Sequence, residues 1–417
     1  MRLNLYDKCL KMKFSETHSG HLTYCSNIHP GEKWEDHFGQ LRTYLPGIKR
    51  KVSPDQPFGT GLRLSAKAAN ELIRPDVLEA FKNWLKQEDL YLFAINGFPY
   101  GSFHGERVKE NVYAPDWSDE RRLKYTLNLA DILSELIPDY VDGGISTSPV
   151  SYKYWFDSEA DCTDVMLKSV EKFSDVAWHL SQIENQKNRY IHLDIEPEPD
   201  CLLENGIETV SFFKQWLLPE GSNYLQRKHQ LNKKDAREML LRYIQVCYDT
   251  CHFAVEFEDP EQIINMFVSE GIGIGRTQIS SALKVPLGDD PKRRETLKKH
   301  LTRFNEPVYL HQVVELRSDE SYRQYRDLDQ ALKHIDNPEA VEWRIHFHVP
   351  VFLDRFGDLQ STRDHIKDSL PLIFEKTGCR HFEVETYTWD VLPDELKTDI
   401  GDSIVRELDW VLKEMQY

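Results

Sequence analysis

Eight short, largely apolar runs recur along this chain, each followed by a longer stretch with helical spacing. That alternation restricts the fold more than any single motif does. The runs are His21–Asn27, Gly61–Ser65, Leu90–Asn96, Val141–Pro149, Tyr190–Pro199, Gln245–Ala254, Arg276–Leu283 and His381–Trp389. Helical spacing is clear between them, as in Trp34, Phe38, Leu41 and Leu45, or Val77, Leu78, Phe81 and Leu85. Strands separated by helices pair in parallel through crossover connections. No Gly-x-Gly-x-x-Gly follows the first run, which argues against a dinucleotide-binding sheet. A last strand–helix unit able to close the ring predicts an α/β fold of the (β/α)8 barrel type. Between strands seven and eight the pattern stretches: a helix over 291–304, a strand over 308–314, a helix over 321–335 and a His-x-His strand over 343–352. The spacing predicts one domain over 1–417 with an insertion after strand seven, its largest part at 288–340.

In such a barrel the carboxyl ends of the strands build the active site. The sixth run is the richest: Gln-Val-Cys-Tyr-Asp-Thr-Cys-His-Phe-Ala places Asp249 at a strand end and His252 one turn later. In the fifth run, alternation puts His192, Asp194, Glu196 and Glu198 on one face, an expensive arrangement unless they meet a cation, a ligand or each other. Other strand ends add His104 beyond strand three, Gln278 on strand seven, His346 and His348 on the inserted strand, and Glu383 and Glu385 on strand eight. A mixed nitrogen and oxygen set of this kind suits a divalent Zn, Mn, Co or Fe ion better than a structural cysteine site. Blander readings apply to some members. His192 reads as a strand-interior residue, Glu383 equally as a solvated one, and Tyr387 and Trp389 as barrel packing. Phe98, Tyr100 and Phe103 read as anchors of their loop, and Cys247 and Cys251 as core thiols.

Composition narrows the partners. The net charge is −17 over 417 residues, and the basic runs at 233–234, 292–294 and 298–299 fall in helical stretches. A protein that neutralises many phosphates is not expected, so nucleic acid is excluded as a partner. Seven scattered cysteines with no Cys-x-x-Cys pair fit a reducing compartment. The first residues lack a secretory apolar core, and no window approaches a membrane span, so a cytoplasmic protein is expected.

Val-Cys-Tyr-Asp-Thr-Cys-His at 246–252 resembles the strand-six signature of the endonuclease IV and xylose-isomerase-like TIM-barrel superfamily. The resemblance implies that Glu196, with Glu198 as the alternative, shares a metal with Asp249, Gln278 and Glu385. It also implies that His252 and the pair His346-x-His348 take the place of a further metal's ligands. The whole chain resembles, more specifically, the EboE family of metabolite traffic proteins. The matching pieces are Gly-His-Leu-Thr-Tyr-Cys-Ser-Asn-Ile-His-Pro-Gly-Glu (20–32), Asn-Gly-Phe-Pro-Tyr-Gly-Ser-Phe-His-Gly (96–105), Val-Tyr-Ala-Pro-Asp-Trp (112–117), Glu-Pro-Glu-Pro (196–199), His-Phe-His-Val-Pro-Val-Phe (346–352) and Glu-Val-Glu-Thr-Tyr-Thr-Trp (383–389). What this implies is handling of a small-molecule precursor of secondary metabolism, with other ebo-cluster proteins as partners. On that basis two functions compete: a metal-dependent sugar isomerase or epimerase, and a carrier or scaffold without turnover. In the first, Glu196 or Glu385 moves a proton, His104 and His252 orient hydroxyls, Phe103 or Trp389 covers an apolar face, and Glu198 joins the substrate contacts. Cleavage of abasic DNA is disfavoured, because strand four ends Ser146-Thr147-Ser148-Pro149 where that enzyme carries a metal-binding His. The sugar isomerases more often carry His where this chain has Gln278.

Overall fold

A computed structural model describes residues 12–13, 19–101, 103, 108–388 and 399–415. Its barrel strands follow the apolar runs. They are β1 (Ser19–Tyr24), β2 (Phe58–Arg63), β3 (Leu90–Asn96), β4 (Gly143–Thr147), β5 (Ile191–Ile195), β6 (Ile244–Asp249) and β7 (Ile274–Ile279). After β7 come β8 (Ser281–Pro286), β9 (Val313–Arg317), β10 (Tyr322–Tyr325), β11 (Ala340–Val349), β12 (Arg355–Phe356) and β13 (Leu359–Ser361). The last barrel strand is β14 (His381–Val384). Eight strands pair in parallel in the order β1-β14-β7-β6-β5-β4-β3-β2. The ring is nearly closed. Between β1 and β2 the join is a single parallel bridge, Cys25 to Gly61, and lower on that edge the two-residue strand Met12–Lys13 pairs antiparallel with Ser19–Gly20.

Helices cover the outside because their apolar stripes have no other place to go. The longest, Glu159–Lys187, starts where the Ser158 hydroxyl accepts from the Asp161 amide and ends at Asn188 in the left-handed region (φ 54°). Its Val165, Phe173, Val176, Ala177, Leu180 and Ile183 are buried, each contributing on the order of 1.5–3 kcal/mol when large and fully covered. Among the described residues no helix is long and apolar enough to cross a membrane.

The seventh run divides. Ile279 ends β7, Ser280 turns, and Ser281 starts a second sheet, antiparallel in the order β10-β9-β11-β8-β13-β12. The expected strand at 276–283 is therefore two strands in two sheets. The expected strand at 308–314 begins only at Val313, and the expected helix at 321–335 is β10 followed by the short helix Leu328–Ala331. The aromatic Tyr322 and Tyr325 are strand formers that pair with Leu316 and Val313 across the ladder, and this tertiary pairing overrides the helical spacing. One apolar core runs from the barrel into this sheet through Leu283, Val285, Trp343 and Ile345.

The barrel interior departs from the usual layers of Val, Ile and Leu. His192, Asp194 and His381 lie in its lower part, with the His192 ring 2.6 Å from Asp194 Oδ1. Glycines make the room: a Cβ on Gly275 would sit 2.0 Å from Asp194 Oδ1. Above them, Arg276 pairs with Glu383 at 3.0 Å and donates to the carbonyls of Ile95 and Gly144. Both partners of this ion pair are fully buried. The solvated reading of Glu383 is thus corrected: it points into the barrel, into space left by Gly61.

Candidate metal and substrate site

The exit of β5 reads Glu196-Pro197-Glu198-Pro199. Alternating prolines fix φ and remove amide donors, which ends the ladder here, and both carboxylates line the cavity at the barrel mouth. Asp249 ends β6 and caps the helix Thr250–Val255. Its Oδ1 accepts from the Cys251 amide (2.7 Å), the His252 amide (3.1 Å) and the Ser280 hydroxyl (2.5 Å). All of these bonds fall on one oxygen, and the buried Oδ2 has no hydrogen-bond partner. Glu196 Oε2 and both side-chain polar atoms of Gln278 are buried without a partner as well. Gln278 pairs across the sheet with Asp249 on one side and Glu383 on the other. It lies close enough to Glu385 to favour that carboxylate's charge without completing a hydrogen bond. Glu385, just beyond β14, has its Oε1 held by Asn27 (2.6 Å) and Asn96 (3.1 Å).

The histidines arrive from two directions. His252 sits on the first turn after Asp249. His346 and His348 lie where β11 slips register against β8, between the pairs Ile345–Leu283 and Val349–Ser281. An irregularity of this kind re-aims side chains at a sheet rim. Each ring has an oxygen acceptor at Nδ1: Pro197 O for His252 (2.9 Å), Gln312 Oε1 for His346 (2.9 Å) and Glu385 O for His348 (3.0 Å). Those partners assign the proton to Nδ1 and leave the Nε2 lone pair for the site, the pattern that orients metal-binding imidazoles. The Nε2 atoms of His346 and His348 lie 3.3 Å apart.

Four groups of buried side chains bring one donor atom each within 4.8 Å of one another: Glu196, Asp249 and Glu385; Asp249, His252 and His348; Glu198, His252 and His346; and Cys251, His346 and His348. Burial first, and then the neighbouring Glu385 and Asp249 charges, push the Glu196 carboxyl well above the usual carboxylate range. Burial and Asp249 do the same to Glu385. Burial pushes Glu198 up to about 8, against a hydrogen bond from Tyr113 OH at 2.9 Å. The imidazoles move the opposite way: burial lowers His252 to about 3 and His348 to about 4, and His346 well below its ordinary value. They are neutral, lone-pair-bearing rings. Burial also keeps Cys251 a thiol, so it is a core residue rather than a thiolate ligand.

Four crowded carboxylates and three neutral imidazoles fit a divalent cation. Nearby Arg276 is committed to Glu383 one layer down, and Asp249 Oδ2, Glu196 Oε2 and Gln278 Oε1 are left buried without a hydrogen-bond partner. The donor set of carboxylate and imidazole matches Zn, Mn, Co or Fe chemistry.

A cavity of about 50 Å³ opens over this floor, room for an ion and a few waters or for the end of a small molecule. Its roof is aromatic: Phe103, Tyr309 and Tyr387 meet pairwise at 5.1–5.3 Å. Phe103 and Glu198 line it, together with Glu196, His252, His346 and Glu385. Two residues expected at the site, His104 and Trp389, lie outside the described residues. Sequence reasoning missed Asn27, Asn96, Tyr113, Ser280 and Gln312. For the two asparagines a signal existed: each is the polar residue that terminates an apolar run.

No protein-family model matches the chain, and no curated protein matches it. Among solved structures it is similar to a xylose isomerase-like TIM barrel protein from Mycobacterium smegmatis in complex with magnesium, at 10% identity over 96% of this chain and 98% of that one, TM-score 0.49. It is also similar to a xylose isomerase domain protein from Alicyclobacillus acidocaldarius (10% identity, 94% and 98% covered, TM-score 0.41). A third is an IolI protein with a bound zinc atom (10% identity, 95% and 97% covered, TM-score 0.42). The barrel assignment for this chain rests on its own strand order and registers.

Proposed function

We propose that this protein binds a divalent metal at the carboxyl end of its barrel and acts there on a small hydroxylated carbonyl compound, as an isomerase or epimerase. One observation carries the reading: Glu196, Asp249 and Glu385, at the ends of β5, β6 and β14, bring one carboxylate oxygen each within 4.8 Å of one another, and Glu196 Oε2 and Asp249 Oδ2 are buried without a hydrogen-bond partner. Glu196, Asp249, Gln278 and Glu385 would hold the ion, and His252, His346 and His348 with Glu198 would hold a second or receive the substrate's hydroxyls. When bound, the ion supplies Lewis acidity toward a carbonyl and its neighbouring hydroxyl. The protein's own groups do the rest. Glu196 or Glu385 removes the proton from the carbon beside the carbonyl, and the same pair returns one to the adjacent carbon or the opposite face, so no proton is gained or lost overall. Phe103, Tyr309 and Tyr387 keep water from the exchange.

The EboE resemblance of the motifs adds a context, a precursor of secondary metabolism delivered to or from other ebo-cluster proteins in the cytoplasm. The carrier reading draws support from the tightness of the cavity, which suits holding a molecule as well as converting one. Two measurements decide. Metal content after purification without chelators should show bound divalent ion that Asp249→Ala abolishes; a metal-free protein that takes up no ion sinks the metal reading. Incorporation of solvent deuterium at the carbon next to the carbonyl, over a panel of aldoses and ketoses, separates turnover from carriage.

A further inference from the structure

We infer that the substrate is a two-part molecule, with a small chelating head in the inner cavity and an uncharged polyhydroxylated ring in an outer cavity against Trp155. This rests on the metal-site reading above and deepens it. The inner cavity, at about 50 Å³, takes the carbonyl end of a sugar and little beyond it. Beside it lies a second cavity of about 590 Å³, and Lys109 and Leu310 line both. The two are joined by more than proximity. Tyr113 lines the inner cavity and donates to Glu198, and its ring stacks on Tyr152 of the outer cavity at 5.2 Å between centroids and 8° between planes. The dividing wall is pinned by a largely buried ion pair, Lys109 Nζ to Asp327 Oδ2 at 2.5 Å. Lys109 adopts φ 43° to reach it, a strained conformation for a lysine of the kind that gathers at functional sites.

The outer cavity has the chemistry of a hydroxylated-ring site. Trp155, 38% exposed, offers a large aromatic face at its edge. Tyr154 is capped by the Arg326 guanidinium 3.5 Å above its ring and so completes a rigid wall rather than a second platform. Asn305 and Gln330 supply amides, which both donate and accept toward hydroxyls. Glu110, Glu306, Asp327 and Asp329 outnumber Lys109 and Arg326. That balance repels a phosphate or carboxylate on the distal part and selects a neutral one.

The test is titration calorimetry on the Mn²⁺-loaded full chain, with monosaccharide aldoses and ketoses and the glucosyl disaccharide of each. A disaccharide should bind at least about tenfold tighter than its own monosaccharide. Trp155→Ala and, separately, Gln330→Ala should each erase most of that gain and leave monosaccharide binding unchanged. If Mn²⁺ is taken up and monosaccharides bind with no gain for any disaccharide, or if the gain survives both substitutions, the two-part substrate is overturned and the metal reading stands. If Mn²⁺ is not taken up, both fall.

Discussion

Glu198 offers the sharpest test of how the site handles buried charge. Burial raises its carboxyl from the ordinary 4.5 to about 8 in the folded protein, and unfolding returns it to the ordinary value. A carboxyl raised in this way contributes stability that is complete below about 4.5 and is lost as pH climbs through 8. At ~1.4 kcal/mol per unit, the loss in the metal-free protein reaches roughly 5 kcal/mol. Glu198→Gln keeps the shape and an acceptor for Tyr113 OH but never ionises. Urea unfolding of both metal-free proteins, followed by tryptophan fluorescence from pH 5 to 9, should therefore show wild type losing roughly 4 kcal/mol more than the variant over that window. His252 and His348, lowered to about 3 and 4, add an acid-side slope that is the same in both proteins and cancels. Removal of the alkaline loss by saturating Mn²⁺ would place Glu198 among the ligands, because a bound ion holds the ionised form. Parallel pH curves for wild type and Glu198→Gln in the absence of metal would refute the reasoning.

Three further outcomes are expected. Ser280→Ala deletes the hydroxyl bond to Asp249 Oδ1 and should weaken metal binding by about 10–100-fold, read by competition with a chelating dye; unchanged affinity counts against Asp249 as a ligand. Arg276→Met leaves Glu383 buried and unpaired, at a cost of about 3–5 kcal/mol, whereas the double change Arg276→Met with Glu383→Leu should recover most of it; a double variant less stable than the single one in thermal unfolding contradicts this. A divalent ion at about 100 times its Kd should stabilise by about 2.7 kcal/mol. With an unfolding entropy of about 2.1 cal/mol/K per residue, that is a rise in Tm of only about 3 °C for a chain of 417 residues. Asp249→Ala should show no rise.

The barrel was legible because each strand carries its own apolar run, and a run needs no knowledge of its neighbours. The acidic part of the candidate site was legible for a related reason: Glu196, Asp249 and Glu385 are charged residues at strand exits, where burial makes charge conspicuous. What escaped was everything set by pairing. Tyr322–Tyr325 has helical spacing as well as strand propensity, and only the ladder to β9 decides between them. Asn27, Asn96, Tyr113 and Gln312 are neutral hydrogen bonders, common anywhere, whose roles appear once strands far apart in sequence meet. The polar lower interior was half visible in His192 and Asp194. The empty places of Gly144 and Gly275 that accommodate it belong to other strands.

The single bridge between Cys25 and Gly61 gives the ring a clasp. Every other join between barrel strands is a ladder, so the cheapest way to open the barrel is to part β1 from β2, and amide hydrogen exchange along that edge should report it first. Asn27 stands two residues past Cys25 and holds Glu385. Parting the clasp draws Asn27 away from that carboxylate, and anything that engages Glu385 from the mouth of the barrel fastens the clasp in turn. Occupancy at the top of the barrel and integrity of its weakest join are two readings of one equilibrium.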